Sequence, residues 1–237
     1  SYRLMMWPLQ NITFVITPAF QPVFSEYQDD YQKLSYYYMK VIHYLSWIAF
    51  PLTVLLFNIG KEAILLLFGH QWVNAVPVFQ ILSVSVFMQI LISTTGSIYQ
   101  SANATRQLFI SGIWGAIFIV TGFSLPIFLF HTIEAVAYGY LIAQVANFIQ
   151  CFGLLFKTLG SPIKNFIKAL FHPFFFSCVL AILFLFISIL CNNMPLILSL
   201  LLKCFVWAIV CIVYVQHFKI FNIKSFLLKF FNRLRNK

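Results

Sequence analysis

Residues 173–191 read PFFFSCVLAILFLFISILC, and residues 195–215 read PLILSLLLKCFVWAIVCIVYV. Each run is long enough to cross the hydrocarbon core of a bilayer, which takes roughly 20 residues of helix. Asn192 and Asn193 part them, neither run holds a carboxylate, and Lys203 is the one cation within them. Hydrocarbon offers a backbone no hydrogen-bond partner, so a run of this kind satisfies itself as a helix. The pair therefore reads as two transmembrane helices joined by a short polar turn.

Five further runs of the same kind precede it, at residues 4–24, 41–59, 75–98, 108–130 and 133–156. The sequence thus predicts an all-α, polytopic transmembrane helix bundle of about seven spans. Composition agrees. The 237 residues are 62% hydrophobic and 8% charged, against about 25% charged in soluble domains, so the chain cannot cover its own outside in water. Gly60-Lys61-Glu62 is predicted to end the second span, Asn103-Ala104-Thr105-Arg106 to separate the third and fourth. Residues 62–72, ending Gly69-His70-Gln71-Trp72, are too short to span and are expected at the interface with Trp72 as anchor. The apolar run begins directly after Ser1, with no charged region before it and no cleavage site after it, which argues against a signal peptide. The expectation is a C-terminal part of a larger protein, with an N-terminal lobe missing from this chain.

Counting Lys and Arg on alternate connections gives the orientation. Lys33, Lys40, Arg106, Lys157, Lys164, Lys168 and the six cations after Val215 fall on one side, while the other receives Arg3 and Lys61. The crowded side, with the C-terminus, is predicted to be cytoplasmic. The net charge of +10 is explained by this asymmetry, and nucleic-acid binding is not inferred from it. In the tail, Ile220, Ile223, Leu227, Phe230 and Leu234 share one helical face, and Asn222, Ser225, Lys229, Asn232 and Arg233 the other. Such a basic amphipathic helix is expected to lie on anionic lipids of the inner leaflet.

Polar groups within spans are costly and frequently functional. The first span carries Gln10, Asn11, Thr13, Thr17 and Gln21, and is interrupted by Pro8, Pro18 and Pro22. These side chains either line a polar cavity or hydrogen-bond to neighbouring helices. Arg3 either attracts an anionic substrate group or marks the membrane edge. Lys203 either snorkels along its stem or meets an anionic lipid head. Arg3, Gln10, Asn11, Thr17 and Lys203 are thus the candidates for a substrate pathway.

All carboxylates are read as lying near span ends or in connections, Glu62 among them. Before the second span, Asp29 with Gln32 forms a weak capping box. The five Cys include no C-x-x-C pair and the five His are scattered, so no metal, cofactor or catalytic site is expected. Ala135, Gly139, Ala143 and Asn147, with Ser111, Gly115 and Gly122, form small-residue strips suited to close helix packing.

Several segments together resemble the Wzx-like polysaccharide repeat-unit flippases of the multidrug/oligosaccharidyl-lipid/polysaccharide exporter superfamily. They are Tyr2-Arg3-Leu4-Met5 with Pro8, Pro18-Ala19-Phe20 with Ser25 and Gln28-Asp29-Asp30, Phe68-Gly69-His70-Gln71-Trp72 continuing to Ala75-Val76-Pro77, and Ser93-Thr94-Thr95-Gly96. Glu134-Ala135-Val136-Ala137 departs from the family, which more often has Gly before Val-Ala. The resemblance implies a two-lobed exporter of about twelve to fourteen spans. Residues 1–156 would then be part of the C-terminal lobe (five spans), 157–172 a basic cytoplasmic linker, 173–215 two extra spans, and 216–237 the basic tail. It also implies a transporter of the bacterial plasma membrane, not an enzyme, that moves an undecaprenyl-pyrophosphate-linked oligosaccharide between leaflets. A cation-coupled multidrug exporter of the same superfamily, favoured by a buried carboxylate, and a membrane enzyme of envelope polysaccharide assembly are the alternatives.

Overall fold

The computed structural model describes residues 24, 27, 28, 30–160, 163–191 and 194–217. The predicted first span up to Val23, with Arg3, Gln10, Asn11 and Thr17, and the tail beyond His217 lie outside them.

Helix α1 spans Tyr31–Phe68. Its cap is Asp30 rather than Asp29: the Asp30 carboxylate accepts the Lys33 backbone N–H at 3.0 Å. That bond and the Lys33 ammonium 3.1 Å away hold the exposed Asp30 carboxyl below its ordinary pKa. Leu34, Tyr38, Val41 and Leu45, at helical spacing, are all buried. The helix does not end at Gly60-Lys61-Glu62 as expected but runs on to Gly69, whose φ of 87° closes it. Gly60 is there for proximity. A β-carbon on it would stand 2.8 Å from the Phe79 ring, so the glycine admits a neighbouring helix and terminates nothing. His70–Trp72 then form one 3-10 turn.

The third predicted span is one apolar run broken twice. Its pieces are α2 (Ala75–Val84), α3 (Val86–Ser93) and α4 (Thr95–Ser101), with a 43° bend at the first break. Hydroxyls explain the breaks. Ser83, Ser85, Ser93, Thr94 and Thr95 each donate to a carbonyl three or four residues back at 2.7–2.8 Å, and such back-bonding bends helices.

Helices α5 (Thr105–Phe130), α6 (Ile133–Leu159), α7 (Ile163–Leu190) and α8 (Leu196–His217) complete the bundle. Among the described residues five helices are long and apolar enough to cross a membrane, or six with the bent α2–α4 unit taken as one span. α7 begins at Ile163, so most of the basic stretch 157–172 is helical. α1 touches α2, α3, α6, α7 and α8, while α5 docks chiefly on α6. The main core gathers Tyr38, Phe79, Ile90, Tyr99, Tyr140 and Phe152. Exposed Phe109, Val120, Phe128, Phe175, Ile189 and Leu201 face outward, as lipid contact requires.

The small-residue strips meet as expected. A β-carbon on Gly139 would collide with the Gly122 carbonyl oxygen and with Pro126, and one on Gly115 would stand 2.9 Å from Asn147 Oδ1. The backbone oxygen cannot move aside. Gly139→Ala should therefore destabilise the protein by about 1–3 kcal/mol. Gly153→Ala, with nothing within 4 Å of the new methyl, should be neutral or gain up to about 1 kcal/mol. Thermal unfolding of the detergent-solubilised variants reads the difference, and equal midpoints would contradict the close approach of α5 and α6.

Candidate functional site

Lys203 sits about two turns into α8, on a stripe formed with Ser199 and Trp207 at steps of four. Facing it, α1 offers Glu62, Asn58 one turn earlier, and Pro51. The Lys203 ammonium donates to Glu62 Oε1 at 2.6 Å and to the Asn58 carbonyl at 3.1 Å. Ser199 Oγ donates to the same Oε1 at 2.9 Å, and Trp207 Nε1 donates to the Pro51 carbonyl at 2.9 Å. The Lys203 and Glu62 side chains are only 5% and 8% exposed. Leu55, Leu180 and Phe184 make an apolar plug beside these links, with Trp207 packed on it.

This differs from the sequence reading in two respects. Lys203 was read as snorkelling or meeting an anionic lipid head, but its ammonium is buried against Glu62. Glu62 was expected in a connection, but it lies within a continuous helix and is buried. The signal was available in the spacing, because Asn58 and Glu62 share a face of α1 just as Ser199 and Lys203 share a face of α8. A charge in hydrocarbon is costly alone, and an opposite charge reduces that cost. A cavity of about 330 Å3, walled in part by Lys61, Gln80, Ser188 and Met194, opens at the pair. Among the described residues no hydrogen-bond donor reaches Glu62 Oε2.

The other end of the bundle is basic. One crevice of about 490 Å3 is lined by Arg106, Lys157, Gln107, Asn103 and Tyr31. A second, of about 760 Å3, carries Lys40, Lys168, His43 and His172. Among the described residues no group of three or more His, Cys, Asp or Glu could hold a metal ion.

A model of the polysaccharide biosynthesis protein family matches residues 1–77. An uncharacterized membrane protein of the cps region in Klebsiella pneumoniae is 30% identical over 201 residues, covering 83% of this chain and 40% of that protein. The lipopolysaccharide biosynthesis protein WzxC of Escherichia coli is 25% identical over 178 residues, covering 75% and 36%. The chain is similar to Wzx-like polysaccharide-biosynthesis membrane proteins. The teichuronic acid biosynthesis protein TuaB of Bacillus subtilis, 21% identical over 189 residues, covers 77% of the chain and 38% of its own length. The chain thus spans about two fifths of the curated relatives it matches, at 40%, 36% and 38%. No solved structure matches it. The family match takes in Asn58 and Glu62 but stops short of their partner Lys203.

Removing one member of the pair leaves the other charge buried. Lys203→Met should destabilise the protein by about 3–5 kcal/mol, and adding Glu62→Gln should recover most of that loss. The thermal midpoints of the two variants measure both steps. A single substitution as stable as the parent would contradict the buried pair.

Proposed function

We propose that these residues form part of a membrane translocator that carries a polyprenyl-pyrophosphate-linked oligosaccharide from the cytoplasmic to the outer leaflet during surface polysaccharide synthesis. The observation that carries the proposal is the similarity to WzxC and TuaB, named for lipopolysaccharide and for teichuronic acid biosynthesis. The described bundle suits the task physically. A sugar and a pyrophosphate must cross hydrocarbon while their lipid tail stays in it, which calls for polar groups inside an apolar exterior. The polar first span would supply such groups, with Arg3, Gln10, Asn11, Thr17 and Lys203 as the candidate pathway residues. Residues 1–156 would belong to the second lobe and 173–215 to two added spans, and the remaining lobe would be supplied by sequence outside this chain.

The basic end faces the cytoplasm in this reading, with the C-terminus. A reporter active only outside the cytoplasm, fused after Lys237, should be silent, and a strong signal would reverse the orientation.

Glu62 gives the cation-coupled exporter a specific argument, since a buried carboxylate is what such coupling uses. Its bond to Lys203 speaks against it, because the carboxylate is already neutralised. Deletion of the gene in its native bacterium separates the readings. Translocation predicts lost surface polysaccharide with completed lipid-linked units accumulating on the cytoplasmic face, restored by a plasmid copy. An enzyme of assembly predicts incomplete units instead. Unchanged polysaccharide with increased drug sensitivity would favour the exporter.

A further inference from the structure

The larger basic crevice lies between the first turns of α1 and α7, beside the end of α6. Both helices lose their charges there. After Lys40, α1 carries no Asp, Glu, Lys or Arg until Lys61, and after Lys168, α7 carries none through Leu190. The crevice therefore straddles the boundary between headgroups and hydrocarbon. Among the described residues the ion pairs are Lys33–Asp30 and Lys203–Glu62, so neither Lys40 nor Lys168 is neutralised by a carboxylate. Lys40 instead rests 4.4 Å from the centre of the Tyr36 ring. Asn165, in the first turn of α7, and His172 add polar groups to the wall.

Two hydrogen bonds through His43 tie the crevice wall across α1 and α7. Trp47 Nε1 donates to His43 Nε2 at 3.2 Å, and an indole nitrogen can only donate. Nε2 is thus the acceptor, and Nδ1 carries the proton that meets the Ala169 carbonyl at 2.9 Å. His43 is held as a strut between α1 and α7, and Lys40 and Lys168 are the lysines that line the crevice. One turn deeper, Ile48 lies beyond Tyr44 on α1 and Phe175 beyond His172 on α7. Both are exposed, at 40% and 64%, and offer apolar surface directly below the cations.

We propose that this crevice binds the phosphate headgroup of an anionic phospholipid, with Lys40 and Lys168 on the phosphate and the acyl chains along Ile48 and Phe175. Two cations at headgroup level with no carboxylate partner among the described residues favour a phosphate, and the apolar surface beneath favours a lipid over a free anion. The site is separate from the translocation reading and does not depend on it.

Native mass spectrometry of the full-length protein, titrated with phosphatidylglycerol or phosphatidylcholine, tests the proposal by lipid retention and not by transport. Phosphatidylglycerol should be held at least about fivefold more tightly, at low salt above all. Lys40→Gln with Lys168→Gln should abolish the preference, while Lys40→Arg with Lys168→Arg should keep it. Lys33→Gln, whose lysine is paired with Asp30, should leave it unchanged. Thermal midpoints check that the exposed substitutions leave the fold intact. Equal retention of the two lipids, or a preference that survives the double Gln variant, would overturn the proposal. Displacement of phosphatidylglycerol by inorganic phosphate at equal concentration would also overturn it, by showing a free-anion site.

Discussion

The architecture depends on α1 remaining one helix from the Asp30 cap to Gly69. Its backbone needs are met along its own length, which frees every face to receive another element. Ser46, Thr53 and Asn58 turn their side chains back to carbonyls one turn earlier, at 2.7–2.9 Å. Pro51 has no N–H to donate, and its carbonyl also accepts the Trp207 indole N–H at 2.9 Å. On this rod α7 runs parallel, joined through His43 and Ala169, and α8 runs antiparallel, joined through Glu62 and Lys203.

The ion pair at the far end of α1 follows from that continuity. Had the helix stopped at Gly60, Glu62 would sit in a solvated loop and Lys203 would have no counter-charge. With the helix continued, Glu62 is carried into the seam with α8. α8 is otherwise sparsely covered, and Leu201 and Phe205 are 60% and 67% exposed. Its position therefore leans on the stripe Ser199, Lys203, Trp207. Specific pairing of this sort fixes the register of a helix that apolar contacts alone would let slide, because every register of an apolar helix looks alike to its neighbours and to lipid.

The helical character of the fold was legible from apolar run lengths, because hydrocarbon leaves the backbone so few options. The boundaries were legible less evenly. The start read at residue 133 is where α6 begins, the Thr132 hydroxyl accepting the Ala135 N–H at 3.3 Å. Gly60 misled, because a glycine that admits the Phe79 ring and one that ends a helix look the same in sequence. The breaks at Ser85 and Thr94 were hidden as well, since serine and threonine bend a helix only when their rotamers bond backwards. Lys203 was visible as an anomaly, but its partner lies across 141 positions of sequence. Only the facing steps of four on α1 and α8 hinted at it. The crevice at Lys40 and Lys168 was invisible for the same reason, being assembled from helices distant in sequence.

The most direct test of this account is the facing of α1 and α8 in a membrane. Cysteines would replace Glu62 and Lys203 in the full-length protein with its native Cys, the five of this chain included, changed to Ala. A short bifunctional thiol reagent would then be applied to membrane vesicles. The account predicts efficient bridging between positions 62 and 203, and little between 62 and 201, since Leu201 points outward. Equal bridging at both positions, or bridging only at 201, would contradict it.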